Sequence, residues 1–216
     1  MEPVTTAIEG LRERKKRRTH EAIAAAAMAL FRERGFDAVT VADVARAADV
    51  SEKTIFNYFP AKEDLVFGAR GERRAALVEA IRDRGPGASF VAPFRAATHA
   101  FLDHVEHDPV EEIVAIPRLV AGSTQLRNRL FLGWEEESAV LGPVLAAEAG
   151  EPEDELAPVV VARTLAWTHR LTFRAAFRRL IAGEDQRAVA ADLRLQADRA
   201  YDLLEAGLGG YGARER

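Results

Sequence analysis

Two helix-start signals, Thr40 and Ser51, stand eleven residues apart and leave room for only one short helix between them. Each can cap a helix, its hydroxyl accepting from a backbone N–H in the first turn; for Thr40 the donor would be Ala42 or Asp43. Val39 and Val44 sit where a hydrophobic staple needs them, as do Val50 and Ile55. At helical spacing the inward positions are Val41, Val44, Ala45 and Ala48 on the first helix, and Ile55 and Phe59 on the second. Glu52, Lys53, Thr54, Asn57 and Tyr58 then face outward. This is the pattern of a helix-turn-helix, in which the second helix offers short polar side chains to the DNA major groove. A plain helical hairpin with two caps is the structural alternative.

The flanks extend the pattern. Residues 19–34 read as a helix with Ile23, Ala27, Leu30 and Phe31 on one face. Gly35 suits its C-terminal turn, with Phe36 returning to Phe31 as in a Schellman motif. Ahead of it lies the basic run Arg12, Arg14, Lys15, Lys16, Arg17 and Arg18, opposed only by Glu13. Such a run beside a helix-turn-helix is expected to form an arm on phosphates or in a minor groove. Residues 62–84 read as a fourth helix, with Gly71 weakening its middle and Lys62 at its start. Residues 84–89, Arg-Gly-Pro-Gly-Ala-Ser, break it. The expected organisation is a DNA-binding domain over 1–61, a connecting helix over 62–84 and a larger helical domain over 85–216, to which the resemblance given next assigns ligand binding and dimerisation.

The stretch from about Arg18 to Leu65 resembles the DNA-binding domain of TetR-type transcriptional regulators. The matching words are Ala26, Met28, Leu30 and Phe31, then Gly35-Phe36, Thr40-Val41 and Val44-Ala45. They continue through Val50-Ser51, Thr54-Ile55-Phe56, Tyr58-Phe59 and Lys62-Glu63-Asp64-Leu65. The resemblance implies an all-α homodimer whose first three helices bind a double-stranded operator. Its larger C-terminal domain would bind a small molecule that lowers DNA affinity. Carried over by position, backbone contacts fall to Thr40, Tyr58 and Lys62, and base edges to Lys53, Thr54 and Asn57. Together with the basic run and the two helix starts, the expected DNA-binding set is Arg17, Arg18, Thr40, Val41, Ser51, Lys53, Thr54, Asn57, Tyr58 and Lys62. Two positions depart from the pattern. Asp49 replaces a frequent Gly in the turn, where Asp tolerates the left-handed conformation better than most residues. Ala61 replaces a capping Ser, Asn or Asp, at a cost of about 1 kcal/mol.

Composition agrees with an all-α chain of about nine helices. Leu, Val and Ala dominate its 216 residues and β-branched runs are scarce. Up to residue 75 there are 14 Lys or Arg against 12 Asp or Glu, so the remainder carries −6 of the overall −4. An acidic protein still binds DNA when its positive charge gathers on one face. The absence of cysteine excludes disulfides, thiol nucleophiles and thiolate-bound zinc. No apolar segment is long enough to span a bilayer, and no signal-like segment leads the chain, so a cytoplasmic protein with no membrane partner is expected.

The C-terminal region reads as helices near 91–107, 109–121, 124–149, 153–182 and 185–208, with Pro117 and Gly142-Pro143 expected to kink or break theirs. Between Pro158 and Phe177 the only charged residues are Arg163, Arg170 and Arg174. A helix this apolar must be covered on most faces, and a second copy of the chain is the expected cover for 153–182 and 185–208. Phe94, Phe101, Arg118, Leu119, Leu130, Trp134 and Phe173 are the candidate ligand-binding residues, although core filling is the commoner role of such side chains. The segment from Arg118 through Trp134-Glu135 is similar to a TetR subgroup that takes acyl-CoA-like ligands.

Asp103, His104, His107 and Asp108 are the only histidine cluster with metal-like spacing, and a solvated helix end explains them better. No catalytic motif and no cofactor are indicated. The expected function is a ligand-responsive, homodimeric repressor released by an apolar or acyl-type effector; the alternative is an architectural or adaptor protein with no effector.

Overall fold

The computed structural model describes residues 10–68 and 70–212. Among them lie eleven helical segments and no strand. The chain divides after Gly68 into two compact units.

The first unit holds α1 (Leu11–Arg34), α2 (Val41–Ala47), α3 (Glu52–Tyr58) and the single turn α4 (Asp64–Phe67). Its core is Ile23, Ala27, Phe31, Phe36, Val39, Val44, Ala45, Ile55, Phe59, Leu65, Val66 and Phe67, all buried. The basic run is not an extended arm. α1 continues through it to Leu11, and Thr19 does not cap a helix but donates its hydroxyl back to the Lys15 carbonyl at 3.0 Å. Arg and Lys are good helix formers, and extending an alanine-rich helix adds one hydrogen bond per residue fixed. At the other end, the Gly35 N–H donates to the Phe31 carbonyl at 2.9 Å and the Phe31 and Phe36 rings meet at 5.1 Å. The expected contact forms, but Gly35 has φ 79 and ψ 156, so the chain leaves α1 extended rather than in a left-handed turn.

The turn between α2 and α3 is a Schellman motif. The Val50 N–H donates to Ala45 O at 3.0 Å and the Asp49 N–H to Arg46 O at 3.4 Å. Asp49 takes the left-handed site, with φ 53, and is the one non-glycine residue with positive φ among the described residues. The same motif ends α9 (Thr124–Ala149) and α10 (Leu156–Ile181), but with Gly150 and Gly183 at that site.

The expected fourth helix is split. α4 stops at Phe67 and α5 (Arg70–Arg82) begins in the second unit, so the interruption falls near Gly68 rather than at Gly71. The missing cap at Ala61 is half replaced, because the Ala61 N–H donates to the Asp64 carboxylate at 3.0 Å.

In the second unit α5 is followed by α6 (Val91–His107), α7 (Val110–Ile113), α8 (Ala115–Gly122), α9, α10 and α11 (Gln186–Leu208). The expected 109–121 helix is thus two, and with the split at Gly68 this raises the count from nine to eleven. Pro117 lies in the first turn of α8, where its missing N–H would have no helical partner anyway. Gly142-Pro143 does not break α9. A Cβ on Gly142 would stand 3.4 Å from Val159 Cγ2, so α10 lies close there. The burial of Leu141, Leu145 and Ala146 holds the helix together despite the lost hydrogen bond.

One core cluster joins α5, α6, α9, α10 and α11 around Phe90, Phe94, Leu165 and Tyr201; a second joins α6, α10 and α11 around Leu102, Leu180 and Val189. These neighbours do not cover α10 completely. Leu156, Val160, Trp167 and Leu171, spaced four, seven and four residues apart, remain exposed along one face. Among the described residues no helix is long and apolar enough to cross a membrane.

Asp49 carries a side chain in a conformation that suits glycine. Asp49→Gly is expected to stabilise the protein by about 0.5 kcal/mol, part of the steric relief being offset by the greater freedom of unfolded glycine. Urea unfolding of the two proteins measures it; a lower midpoint for the glycine variant would refute the argument.

Candidate nucleic-acid interface

α3 is held from one side only. Ile55 and Phe59 are buried, while Glu52, Lys53, Phe56 and Asn57 are exposed and Thr54 and Tyr58 half-buried. A further grip comes from His20 of α1, whose ring stacks on Phe59 at 4.4 Å and lies 6.3 Å from Tyr58. Nothing in the sequence pattern marked His20 for this.

The two caps fix where these helices start. The Thr54 N–H donates to Ser51 Oγ at 3.1 Å, and the two hydroxyls, Ser51 and Thr54, lie 2.8 Å apart. Both side chains therefore already have partners. At α2 the Asp43 N–H donates to Thr40 Oγ1 at 3.1 Å, and the Thr40 N–H returns a bond to the Asp43 carboxylate at 2.9 Å. This is a full capping box, with the Thr40 hydroxyl also donating to Asp43 at 2.6 Å. The box was legible as Thr-x-x-Asp but only its first half was expected. These bonds from Thr40, with a smaller contribution from Arg46 at 3.1 Å, hold the Asp43 carboxyl down to about 2. Val41 follows the cap, half-buried.

Lys62 is also engaged. Its ammonium donates to the Phe36 carbonyl at 2.7 Å and lies 4.1 Å from the Phe36 ring centroid. Partial burial lowers its pKa, opposed by Asp37 and Glu63. One of its three donors is thereby committed to fixing the α1–α2 connection. Arg17 and Arg18 are exposed on α1, with Arg17 3.6 Å from Glu21.

Sequence reasoning passed over Phe56, which is 49% exposed. It lies one helical turn from Lys53, and an exposed aromatic on such a helix can make the apolar contact that distinguishes the thymine methyl.

In the second unit the candidate ligand residues fall into separate groups. Phe101 and Phe173 meet at 3.8 Å, with Phe177 5.5 Å from Phe101. Phe94 belongs to the larger core. Trp134 packs with Phe131 at 5.0 Å and Trp167 at 6.1 Å. Leu119 and Leu130 are half-buried and Arg118 is exposed. A buried polar chain was not anticipated: Thr98 Oγ1 lies 2.6 Å from His169 Nδ1 and 2.7 Å from the Tyr201 hydroxyl. Burial, then Arg170 and Arg73, push His169 down to about 4, so the ring is neutral at physiological pH. Its other neighbour is Phe173, 4.2 Å away. The histidines with metal-like spacing bond locally instead, His104 to Asp108 at 3.1 Å and His107 Nδ1–H to the Asp103 carbonyl at 2.8 Å.

An anchored, capped second helix with an outward polar and aromatic row is the arrangement of a helix-turn-helix DNA-binding domain. Residues 23–69 match the bacterial regulatory proteins of the tetR family. The HTH-type transcriptional regulator TcmR of Streptomyces glaucescens is 28% identical over 151 residues, 68% of this chain and 67% of that protein. MftR of Mycobacterium tuberculosis is 26% identical over 201 residues, 90% of this chain and 93% of the other. Among solved structures, a TetR-family regulator of Streptomyces coelicolor A3 aligns with a TM-score of 0.56 at 22% identity, covering 89% of this chain and 99% of that one. FadR of Bacillus subtilis, in complex with stearoyl-CoA, aligns with a TM-score of 0.53 at 18% identity, covering 88% and 99%. Residues 23–69 are thus similar to the DNA-binding domain of the tetR-family regulators, and both relatives that extend beyond that stretch are transcriptional regulators.

The capping box gives a pH signature. Asp43 is charged in the folded protein down to about pH 2, against about 3.9 in an unfolded chain. Its contribution is therefore full above the unfolded value and drains away as pH falls towards the folded one. In Thr40→Val the Asp43 carboxyl, followed by NMR, should titrate nearer 4, and this part of the acid sensitivity should disappear. An unchanged Asp43 titration would remove Thr40 as the cause.

Proposed function

We propose that the protein is a homodimeric repressor that leaves its operator when a small effector with an apolar or acyl-type body binds the second unit. The observation that carries the DNA half is the outward row of α3, with Lys53, Phe56 and Asn57 exposed above the buried Ile55 and Phe59. Lys53 would donate to guanine O6 or N7, Asn57 would pair with adenine, and Phe56 would touch a thymine methyl. Arg17, Arg18, Tyr58, the remaining donors of Lys62 and the backbone around Thr40, Val41 and Ser51 would set orientation on the phosphates. Thr54 would act on bases only by exchanging its bond to Ser51.

The exposed stripe of Leu156, Val160, Trp167 and Leu171 on α10 supports pairing with a second copy, to which Leu195 and Leu203 of α11, also exposed, would add. Two copies would then present two recognition helices to two half-sites. For the effector half, the support is the aromatic group around Phe101 and Phe173 beside the polar chain of Thr98, His169 and Tyr201. A mostly apolar surface with a few fixed polar groups is how small-molecule sites are built. FadR holds stearoyl-CoA, which has a large apolar part. A protein with this function works in the cytoplasm, on DNA.

Selection of duplexes from a random pool by the full-length protein tests the reading, since a repressor must enrich a defined, two-fold symmetric sequence. On that sequence Asn57→Ala should cost about 1–3 kcal/mol and relax specificity at one position per half-site, whereas Lys62→Ala should weaken all sequences alike and reduce the salt dependence. Enrichment of no sequence would overturn the proposal. The double variant Trp167→Glu, Leu171→Glu should be monomeric by light scattering; if it remains dimeric, the partner surface lies elsewhere.

A further inference from the structure

Residues 12–18 of α1 form a helix against their own electrostatics. Arg12, Arg14, Lys15, Lys16, Arg17 and Arg18 fill every position but that of Glu13, and the whole segment is exposed. Arg12 and Lys16 are like charges four residues apart, as are Arg14 and Arg18, and such pairs repel along one side of a helix. They also occupy the positive end of the helix dipole, where cations are disfavoured. Gly10 at the N-cap brings no side-chain acceptor to that end. The helix forms nonetheless, the Arg14 N–H donating to the Gly10 carbonyl at 3.1 Å.

The direction of the segment is fixed by the helix it extends. Ile23, Ala27 and Phe31 turn one side of α1 into the core of the first unit. His20 continues that side and meets Phe59 and Tyr58 at the C-terminal end of α3. Lys16 and Arg12 stand four and eight residues before His20, on the same row. There the core has ended, and the helix carries that side about 12 Å past His20 into solvent. Arg14 and Lys15, six and five residues before His20, point to the opposite side.

We infer that Arg12 and Lys16 are a second set of phosphate contacts, lying beyond Tyr58 along the duplex that α3 binds. The inference rests on the helix-turn-helix reading above and extends its footprint. DNA is the partner that fits. A polyanion relieves the mutual repulsion and the dipole cost together, and each neutralised phosphate releases counterions. No apolar residue stands between Arg12 and Arg18, so the segment has no face for a lipid surface. The helical form also decides how the duplex is met. A helix with its side chains is about 10–12 Å across and a minor groove about 6 Å wide, so this segment stays outside the groove. Its contacts are with the backbone and carry no sequence information.

Fluorescence anisotropy of the full-length protein, titrated against salt on the selected duplex and on a scrambled one, tests the assignment. Two charge-matched double variants are compared, Arg12→Gln with Lys16→Gln and Arg14→Gln with Lys15→Gln. Glutamine keeps the helix propensity, and circular dichroism verifies the fold. Loss of the first pair should lower the slope of log affinity against log salt by about 1.8, two phosphates' worth, and weaken both duplexes about tenfold or more at about 0.15 M salt. The second pair should change the slope by less than about half as much. Replacing A·T pairs that flank the selected sequence by G·C should leave the wild-type affinity unchanged. Equal losses from the two pairs, a loss confined to the selected duplex, or a dependence on flanking A·T pairs, as an arm in the minor groove would show, would overturn the assignment. The scrambled duplex keeps this claim apart from the operator reading. If no sequence is enriched, that reading falls, and the slope on scrambled DNA still decides the role of Arg12 and Lys16. If Asn57→Ala relaxes specificity while the first pair leaves both slopes unchanged, the claim for this segment falls alone.

Discussion

The burial of Ile55 and Phe59 decides what the first unit can present. Both are essentially inaccessible and lie one turn apart, so α3 has one possible rotation about its axis. With that rotation fixed, Lys53, Phe56 and Asn57 have nowhere to go but outward. The His20 ring on Phe59 and the Ser51 cap then fix the two ends of a helix only seven residues long. A helix this short would not persist alone in water. Its outward row exists because α1 and α2 supply the apolar ground on which it sits, and a cavity at either anchor would blur every outward side chain at once.

What was legible in the chain was what is local. The caps at Thr40 and Ser51, the left-handed Asp49 and the long helices α6, α9, α10 and α11 are each encoded within a few residues, by a hydroxyl, a turn residue or a repeating apolar position. The misreadings share a cause too. The basic run looked like an arm because it stands beside the helix-turn-helix, yet helix propensity and continuity with the alanine-rich segment prevail. Gly142-Pro143 looked like a break because a local rule was applied where tertiary packing decides. The engagement of Lys62 by the Phe36 carbonyl spans 26 residues, and no pattern within a helix announces it. Phe56 was hidden by habit: an aromatic between two helix anchors is usually core, and only the rotation set by its neighbours shows otherwise.

The second unit was legible in outline and opaque in its polar interior. Apolar periodicity located its helices because their cores are made of repeating Leu, Val and Ala. Thr98, His169 and Tyr201 come from three helices and interrupt three apolar faces singly, so none forms a motif in sequence. Each satisfies another, which is why they can be buried together. Arg70, Arg73 and Arg170 likewise meet only in the fold, where α5, α9 and α10 bring all three to Glu137.

The proposed switch obeys a simple thermodynamic bound. A ligand moves a conformational equilibrium only by its differential affinity for the two states, and the effect of ligand on DNA must equal the effect of DNA on ligand. A tenfold to hundredfold coupling corresponds to about 1.4–2.7 kcal/mol. That is within the range of one charge-assisted hydrogen bond made in one state and lost in the other. Large motion is therefore unnecessary.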